Sequence, residues 1–410
     1  MSNAVRRGLM TRDTDPGTRQ VLVWMCVLIA VNQLGFGAVI PVLPLYAQSF
    51  GVSQAAIGAT VAVYGLARML CSVPTGRVAD RFGRRTALAT GGAISALGNL
   101  WSAAAASYPE LVLARFVAGA GAGIVLTAGM IVLADITRTA TRGRTMAIYQ
   151  GVFLFAVGIG PFPGGYLAER FGLPAPFVVY GIASAVVTAV AWFGVADTRA
   201  MGLRTGGGSG VMGSLSEQLR TLAANTGFVL ACLISLIGAV ARTGALFSIV
   251  PVLAQDRLGL SATRIGLGFA LGSIVGLLVT YPGGAIADRY GRKAIIVPAT
   301  IFTGISMLAF SIAPDYAWFL VACTVWGGAV AASGAAPAAY AADSAPPGAN
   351  AAAMSSYRMV SDTGYVVGPI LLGWLGDLHG LDAPLLISAV ALVAIAIVFG
   401  ALAAETHRRV

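Results

Sequence analysis

Apolar residues in this chain come in runs of about twenty, one after another, separated by short polar breaks. A run of that length crosses the roughly 30 Å hydrocarbon core of a bilayer as a helix. Six such helices are predicted at about 21–46, 55–75, 87–106, 109–134, 145–168 and 175–196. Six more follow at about 227–253, 264–283, 294–313, 316–342, 353–376 and 384–403. Most of the breaks are too short for a soluble domain. The longest, 197–226, contains Gly206-Gly207-Gly208-Ser209-Gly210 and reads as a flexible linker. After it, Ser214 and Glu217 form a capping-box pattern ahead of a short helix at about 215–224.

Two of the breaks are versions of each other. Gly76-Arg77-Val78-Ala79-Asp80-Arg81-Phe82-Gly83-Arg84-Arg85 returns 208 residues later as Gly284 to Lys293, and both read as polar hairpins between helices. Residues 57–85 align with 265–293 without a gap, and 11 of the 29 pairs are identical. The same offset pairs Asp135 with Asp343 and Gly160-Pro161 with Gly368-Pro369. A register held that far describes two copies of one six-helix unit, and an even helix number gives both copies the same orientation. The expected fold class is an all-α membrane protein with twelve transmembrane helices in two pseudo-symmetric six-helix bundles. The expected organisation is an N-terminal tail (1–20), a first bundle (21–196), a linker (197–226), a second bundle (227–403) and a C-terminal tail (404–410).

Composition agrees: 57% of the 410 residues are hydrophobic and only 10% are charged, too few to cover a soluble surface. The net charge of +10 is one of topology. Nineteen of the 26 Lys and Arg fall on the side of the membrane that holds both termini and the two ten-residue motifs, and only Arg170, Arg257 and Arg264 on the other. That bias predicts a multi-pass membrane protein with both termini inside and gives no reason to invoke nucleic acid. One Lys against 25 Arg, with abundant Ala and Gly, points to a bacterial chain and hence to the cytoplasmic membrane. Cys26, Cys71, Cys232 and Cys323 all fall within predicted helices and read as small apolar packing residues. The N-terminus lacks an apolar stretch with a cleavage site, so the first helix is expected to serve as its own insertion signal. An enzyme lacks its parts: His379 and His407 have no ligand neighbours for a metal, and the single Lys293 excludes a phosphate-binding loop with its lysine. No cofactor is expected.

The four remaining arginines, Arg68, Arg115, Arg242 and Arg358, lie inside predicted spans, where each is expensive unless it faces a cavity or a partner. Asp362 is the one acid well inside a span, four residues after Arg358. The two either pair along the helix or Asp362 carries protons. Arg242 is expected to line a central cavity, together with Asn32 and Gln33 of the first helix. Tyr149, Tyr357 and Trp326 are candidates for stacking on a substrate, although most aromatics in such helices simply pack. In the fifth helix, Pro161 predicts a kink, and Gly160, Gly164 and Gly165 a close crossing. Gly368 and Pro369 repeat the pattern in the eleventh, making both candidate hinges.

These residues resemble the major facilitator superfamily, and more narrowly its twelve-helix drug:proton antiporters. The resemblance rests on Gly76 to Arg85 as the loop signature and on Leu34-Gly35 with Pro41-Val42-Leu43-Pro44 in the first helix. It rests further on Arg115, Gly119 and Gly121 in the fourth helix and on Gly160-Pro161-Phe162-Pro163-Gly164-Gly165 in the fifth. It departs at Ala118, where Gln is usual, and the first helix has no acid. Gly76 and Gly83 allow the tight turn, and Arg81, Arg84 and Arg85 face the inner lipid surface, where the bland reading has them anchor on anionic headgroups and nothing more. The resemblance implies a gating latch in which Asp80 faces the start of the eleventh helix and Arg84 pairs with Asp135. The repeat would then place Asp288 at the start of the fifth helix and Arg292 on Asp343. It also implies that Arg115 takes part in proton transfer; a residue snorkelling to the membrane surface is the bland alternative. The function implied is export of small amphiphiles in exchange for protons, by a monomer in contact with lipid. The alternatives are a proton-coupled carrier of one metabolite, such as a sugar, amino acid or organic anion, or a non-transporting sensor of the same fold.

Overall fold

The computed structural model describes residues 16–136, 142–194, 215–346 and 350–406, and the regular elements in them are all helical. The N-terminal half comprises α1 (Pro16–Val39), α2 (Leu43–Gln48), α3 (Gln54–Phe82), α4 (Arg84–Ala104), α5 (Tyr108–Ile136), α6 (Arg142–Ile159), α7 (Pro161–Phe171) and α8 (Ala175–Gly194). A short helix, α9 (Leu215–Ala224), leads into α10 (Thr226–Val240), a π-helical segment (Ala241–Ile249) and α11 (Val250–Leu258). The C-terminal half continues with α12 (Ala262–Tyr290), α13 (Lys293–Ser311), α14 (Tyr316–Ser333), α15 (Ala336–Asp343), α16 (Asn350–His379) and α17 (Asp382–Leu402). Ser214 lies outside the described residues, so the capping box ahead of α9 does too.

Among the described residues, ten helical stretches are long and apolar enough to cross a membrane. α4 and α16 match them in length but carry more polar residues, among them Asn99 in α4 and Arg358 and Asp362 in α16. Both are packed among the others, α4 against α5 and α8, α16 against α3 and α10. Large apolar side chains such as Phe193, Leu278 and Val390 stand exposed, as expected of helices whose solvent is lipid. The four cysteines are free.

The repeat is visible in the bounds of the helices. α3 and α12 start and end 208 residues apart, and α16 spans the image of α6 and α7 together. The ten-residue motifs, read above as hairpins, are instead mostly helix. α3 continues to Phe82 and α12 to Tyr290, because nothing between Arg77 and Phe82 breaks a helix. The turn is Gly83 alone (φ 100°) in one copy and Gly291 (φ 102°) followed by Arg292 in the other, the glycine holding a backbone region costly for any other residue. The paired prolines also differ. Gly160-Pro161 separates α6 from α7, whereas Pro369 lies inside the unbroken α16.

The two halves meet along two crossings, α3 with α16 and α7 with α12, and these are images of each other. A Cβ on Gly58 or Gly266 would overlap the carbonyl oxygen of Pro369 or Pro161, and one on Gly373 or Gly165 would overlap the backbone of Gln54 or Ala262. Glycine is required at all four for backbones to come this close. The contacts run inward as far as Gly65 beside Tyr365 and Gly158 beside Ser273, and then stop. Further along, Gly76, Gly151 and Gly284 have no atom within 4 Å of a Cβ position, and Tyr281 is 86% exposed. The halves are therefore closed at the end holding Gln54 and Ala262 and separated at the end holding the motifs.

Candidate functional site: the crossing between the halves and its gates

Where the crossings give out, Tyr365 of α16 gathers cations from both halves. Arg242, the second residue of the π-helical segment, donates from Nη1 to the Tyr365 hydroxyl at 2.9 Å, and the Arg68 guanidinium of α3 lies 5.7 Å from the ring centroid. π-Helical turns often mark functional positions, because they re-aim a side chain within an otherwise regular helix. Neither guanidinium has a carboxylate within 4 Å among the described residues, and the buried Arg242 Nε has no hydrogen-bond partner. Asp362 is half-buried one turn before Tyr365, and Arg358 is exposed. The ion pair weighed for these two along α16 is not made in this structure. The arrangement is a cationic junction at the base of the opening, suited to the negative or polar head of a small molecule.

Arg115 belongs to a separate cluster inside the N-terminal half. It is 1% exposed, so it does not snorkel to a surface. Its guanidinium stacks 4.3 Å from the Tyr64 ring centroid, lies 5.9 Å from that of Phe177, and reaches the Asn99 side-chain oxygen at 3.5 Å. Asn99 in turn donates to the Ser95 carbonyl at 2.8 Å, and Phe36 stacks on Tyr64. A desolvated cation–π contact contributes about 2 kcal/mol, part of what a buried charge costs. Tyr64 is adjacent in sequence to Gly65, which faces Tyr365, so one side-chain layer of α3 separates this cluster from the cationic junction.

The other candidates are spread out. Asn32 and Gln33 are 1% and 4% exposed, and neither amide atom of Asn32 has a hydrogen-bond partner. Tyr149 is buried in the core of the N-terminal half beside Gly129 and Met25, so it is not open to the cavity in this state. Tyr357 packs, half-buried, against a core cluster of the C-terminal half, and Trp326 against the main core cluster.

At the open end, Arg84 Nε lies 2.9 Å from Asp135, tying the start of α4 to the end of α5. Asp80 is a second partner of Arg84 one helical turn away, and its side chain is 71% exposed. The contact of Asp80 with the start of the eleventh helix is therefore not made in this state, because the halves are apart here. In the other copy, Arg292 lies 3.6 Å from Asp343. The side chains of Asp288 and of the start of α6 are outside the described residues.

Two helical bundles that share one register, close at one end and open at the other define a membrane carrier. The chain belongs to the Major Facilitator Superfamily, whose family model matches residues 25–261 and 231–409. It is 31% identical over 168 residues to the inner membrane transport protein YajR of Escherichia coli, covering 41% of this chain and 37% of that one. It is 29% identical over 136 residues to the quinolone resistance protein NorA of Staphylococcus aureus, covering 33% of this chain and 35% of that one. The chain thus aligns with little more than a third of the length of either relative. Among solved structures it resembles a bacterial homologue of the human lysosomal transporter Spinster in an inward-facing conformation. The TM-score is 0.74 at 16% identity, over 94% of this chain and 97% of that one. The chain is thus a multi-pass membrane transporter and not an enzyme.

Proposed function

We propose that the protein exports small amphiphilic compounds from a bacterial cell in exchange for protons, alternating between mouths on the two sides of the cytoplasmic membrane. The observation that carries this reading is the junction of Arg68, Tyr365 and Arg242, where groups from both halves meet at the point where the crossings give out. A head group held there is touched by both halves, so its binding and their rocking are linked. The arginine bias supports a cytoplasmic location for the open end and both termini. The fifth-helix pattern from Gly160 to Gly165 and the likeness to NorA support export over uptake. With two unpaired cations and no acid in the first helix, the cavity suits neutral, zwitterionic or anionic amphiphiles better than quaternary cations. Asp362, half-buried beside the junction, is the leading proton carrier. Arg84 with Asp135, and Arg292 with Asp343, are the intra-half anchors of a latch that Asp80 completes when the cytoplasmic end closes.

The test is efflux of a fluorescent amphiphile from cells overproducing the protein, with and without a protonophore. Export that stops with the protonophore supports the reading. Export that persists, or counterflow of a single labelled metabolite with no dye efflux, refutes it. Asp362→Asn is expected to uncouple export from ΔpH, and coupled export by that variant would remove Asp362 as the carrier.

A further inference from the structure

The closed end carries a second set of symmetric contacts, distinct from the motif that governs the open end. Asp377, near the end of α16, accepts the backbone N–H groups of Gln54 at 2.6 Å and Ala55 at 2.9 Å. These are the first two residues of α3, in the other half, and their N–H groups have no acceptor within their own helix. The residue 208 positions before Asp377 is Glu169, near the end of α7. It is exposed and placed beside Ser261 and Thr263 at the start of α12, again across the two halves, without the short hydrogen bonds that Asp377 makes. Between them, Gln48 donates from Nε2 to both carboxylate oxygens of Asp256 at 3.2 and 3.3 Å, and these two residues are themselves 208 apart.

Each acid extends a stripe along one helix face. Pro369, Gly373 and Asp377 follow one another at intervals of four, as do Pro161, Gly165 and Glu169. The glycine brings the helix onto the first turn of its neighbour and sets the acid one turn further along beside that turn, where Asp377 takes the free N–H groups. A charged acceptor on backbone donors at the positive end of a helix makes a hydrogen bond roughly twice as strong as a neutral one. We infer that Asp377 is a gate residue, a carboxylate clasp that holds this end shut and must let go for the carrier to open there, and that Glu169, at the same register of the other crossing, assists it. The inference rests on reading the chain as an alternating carrier, but not on its substrate, its coupling ion or which side this end faces.

A helix cap inside one half stabilises that half; a cap that bridges halves sets their equilibrium. Asp315 is the internal control: it caps α14 through Trp318 N–H at 2.9 Å within the C-terminal half. The probe is Ile57→Cys, in a background with the four native cysteines replaced by serine. Ile57 is fully buried beside Gly58 at the crossing. Labelling by a small maleimide is followed in purified protein. Asp377→Ala with Glu169→Ala is expected to raise the labelling rate at least tenfold, each single variant less. The charge-keeping exchanges Asp377→Glu and Glu169→Asp should stay near the parent, and Asp315→Ala should leave the rate unchanged while lowering the thermal midpoint. A parent-like rate in the double variant, or an equal rise with Asp315→Ala, overturns the inference. Should the double variant not fold, the single variants compared with their charge-keeping exchanges decide it by the same criterion. Failure of dye export leaves this result standing, since labelling needs no substrate.

Discussion

Removing the Asp135 carboxylate gives the sharpest energetic test of the open end. Arg84 and Asp135 lie 2.9 Å apart with side chains only 12% and 13% exposed. Taking one partner from a buried pair costs about 3–5 kcal/mol, because the other charge is left without compensation. Here Asp80 stays hydrogen-bonded to the same guanidinium, so the loss from Asp135→Ala is expected at the low end or below, about 2–3 kcal/mol. The repeat supplies the comparison. Arg292 and Asp343 are 3.6 Å apart, and Asp343 is 43% exposed, so Asp343→Ala should cost less than about 1 kcal/mol. Reversible unfolding of purified protein in SDS, run as a double-mutant cycle at each pair, measures both. Replacing Arg84 and Asp135 together by leucine should recover part of the loss, since an apolar pair carries no desolvation cost. Equal costs at the two pairs, or a cost below 1 kcal/mol for Asp135→Ala, would refute the assignment of Arg84–Asp135 as a buried tie.

Three further changes address the centre of the molecule. Arg115→Lys keeps the charge but loses the planar face stacked on Tyr64, and should cut export in proteoliposomes by roughly tenfold or more while membrane insertion is retained. Tyr365→Phe removes the acceptor of Arg242 and should lower stability in SDS unfolding by about 1.5–3 kcal/mol, as for a hydrogen bond to a charged group. Gly266→Val would drive a side chain into the Pro161 carbonyl and is expected to force the α7–α12 crossing apart. A longer spin-label distance across the closed end would register this, and an unchanged distance would contradict it.

Much of this architecture is legible in the residues alone, and the parts that are not share one cause. The offset of 208 appears in the motifs and returns to the residue in the bounds of α3 and α12, because two copies folding under the same rules begin and end at the same places. The motif itself misleads: five charged positions out of ten look like a loop, yet charge does not break a helix, and the chain turns only where Gly83 permits it. Pro161 and Pro369 look equivalent but act differently. Pro163 removes a second backbone donor two residues after Pro161, whereas Ile370 and Leu371 let α16 continue past Pro369. The depth of Arg115 and the meeting of Arg68 with Arg242 could not be read, because a helix apolar on all sides has no polar face to show which way a residue points. In such helices the face is marked by small residues instead. The intervals of four from Pro161 through Gly165 to Glu169, and from Pro369 through Gly373 to Asp377, stood in the chain from the start. Their meaning depends on which helix ends touch, and that is a property of the conformation: the same stripes would face an open mouth once the halves rocked the other way.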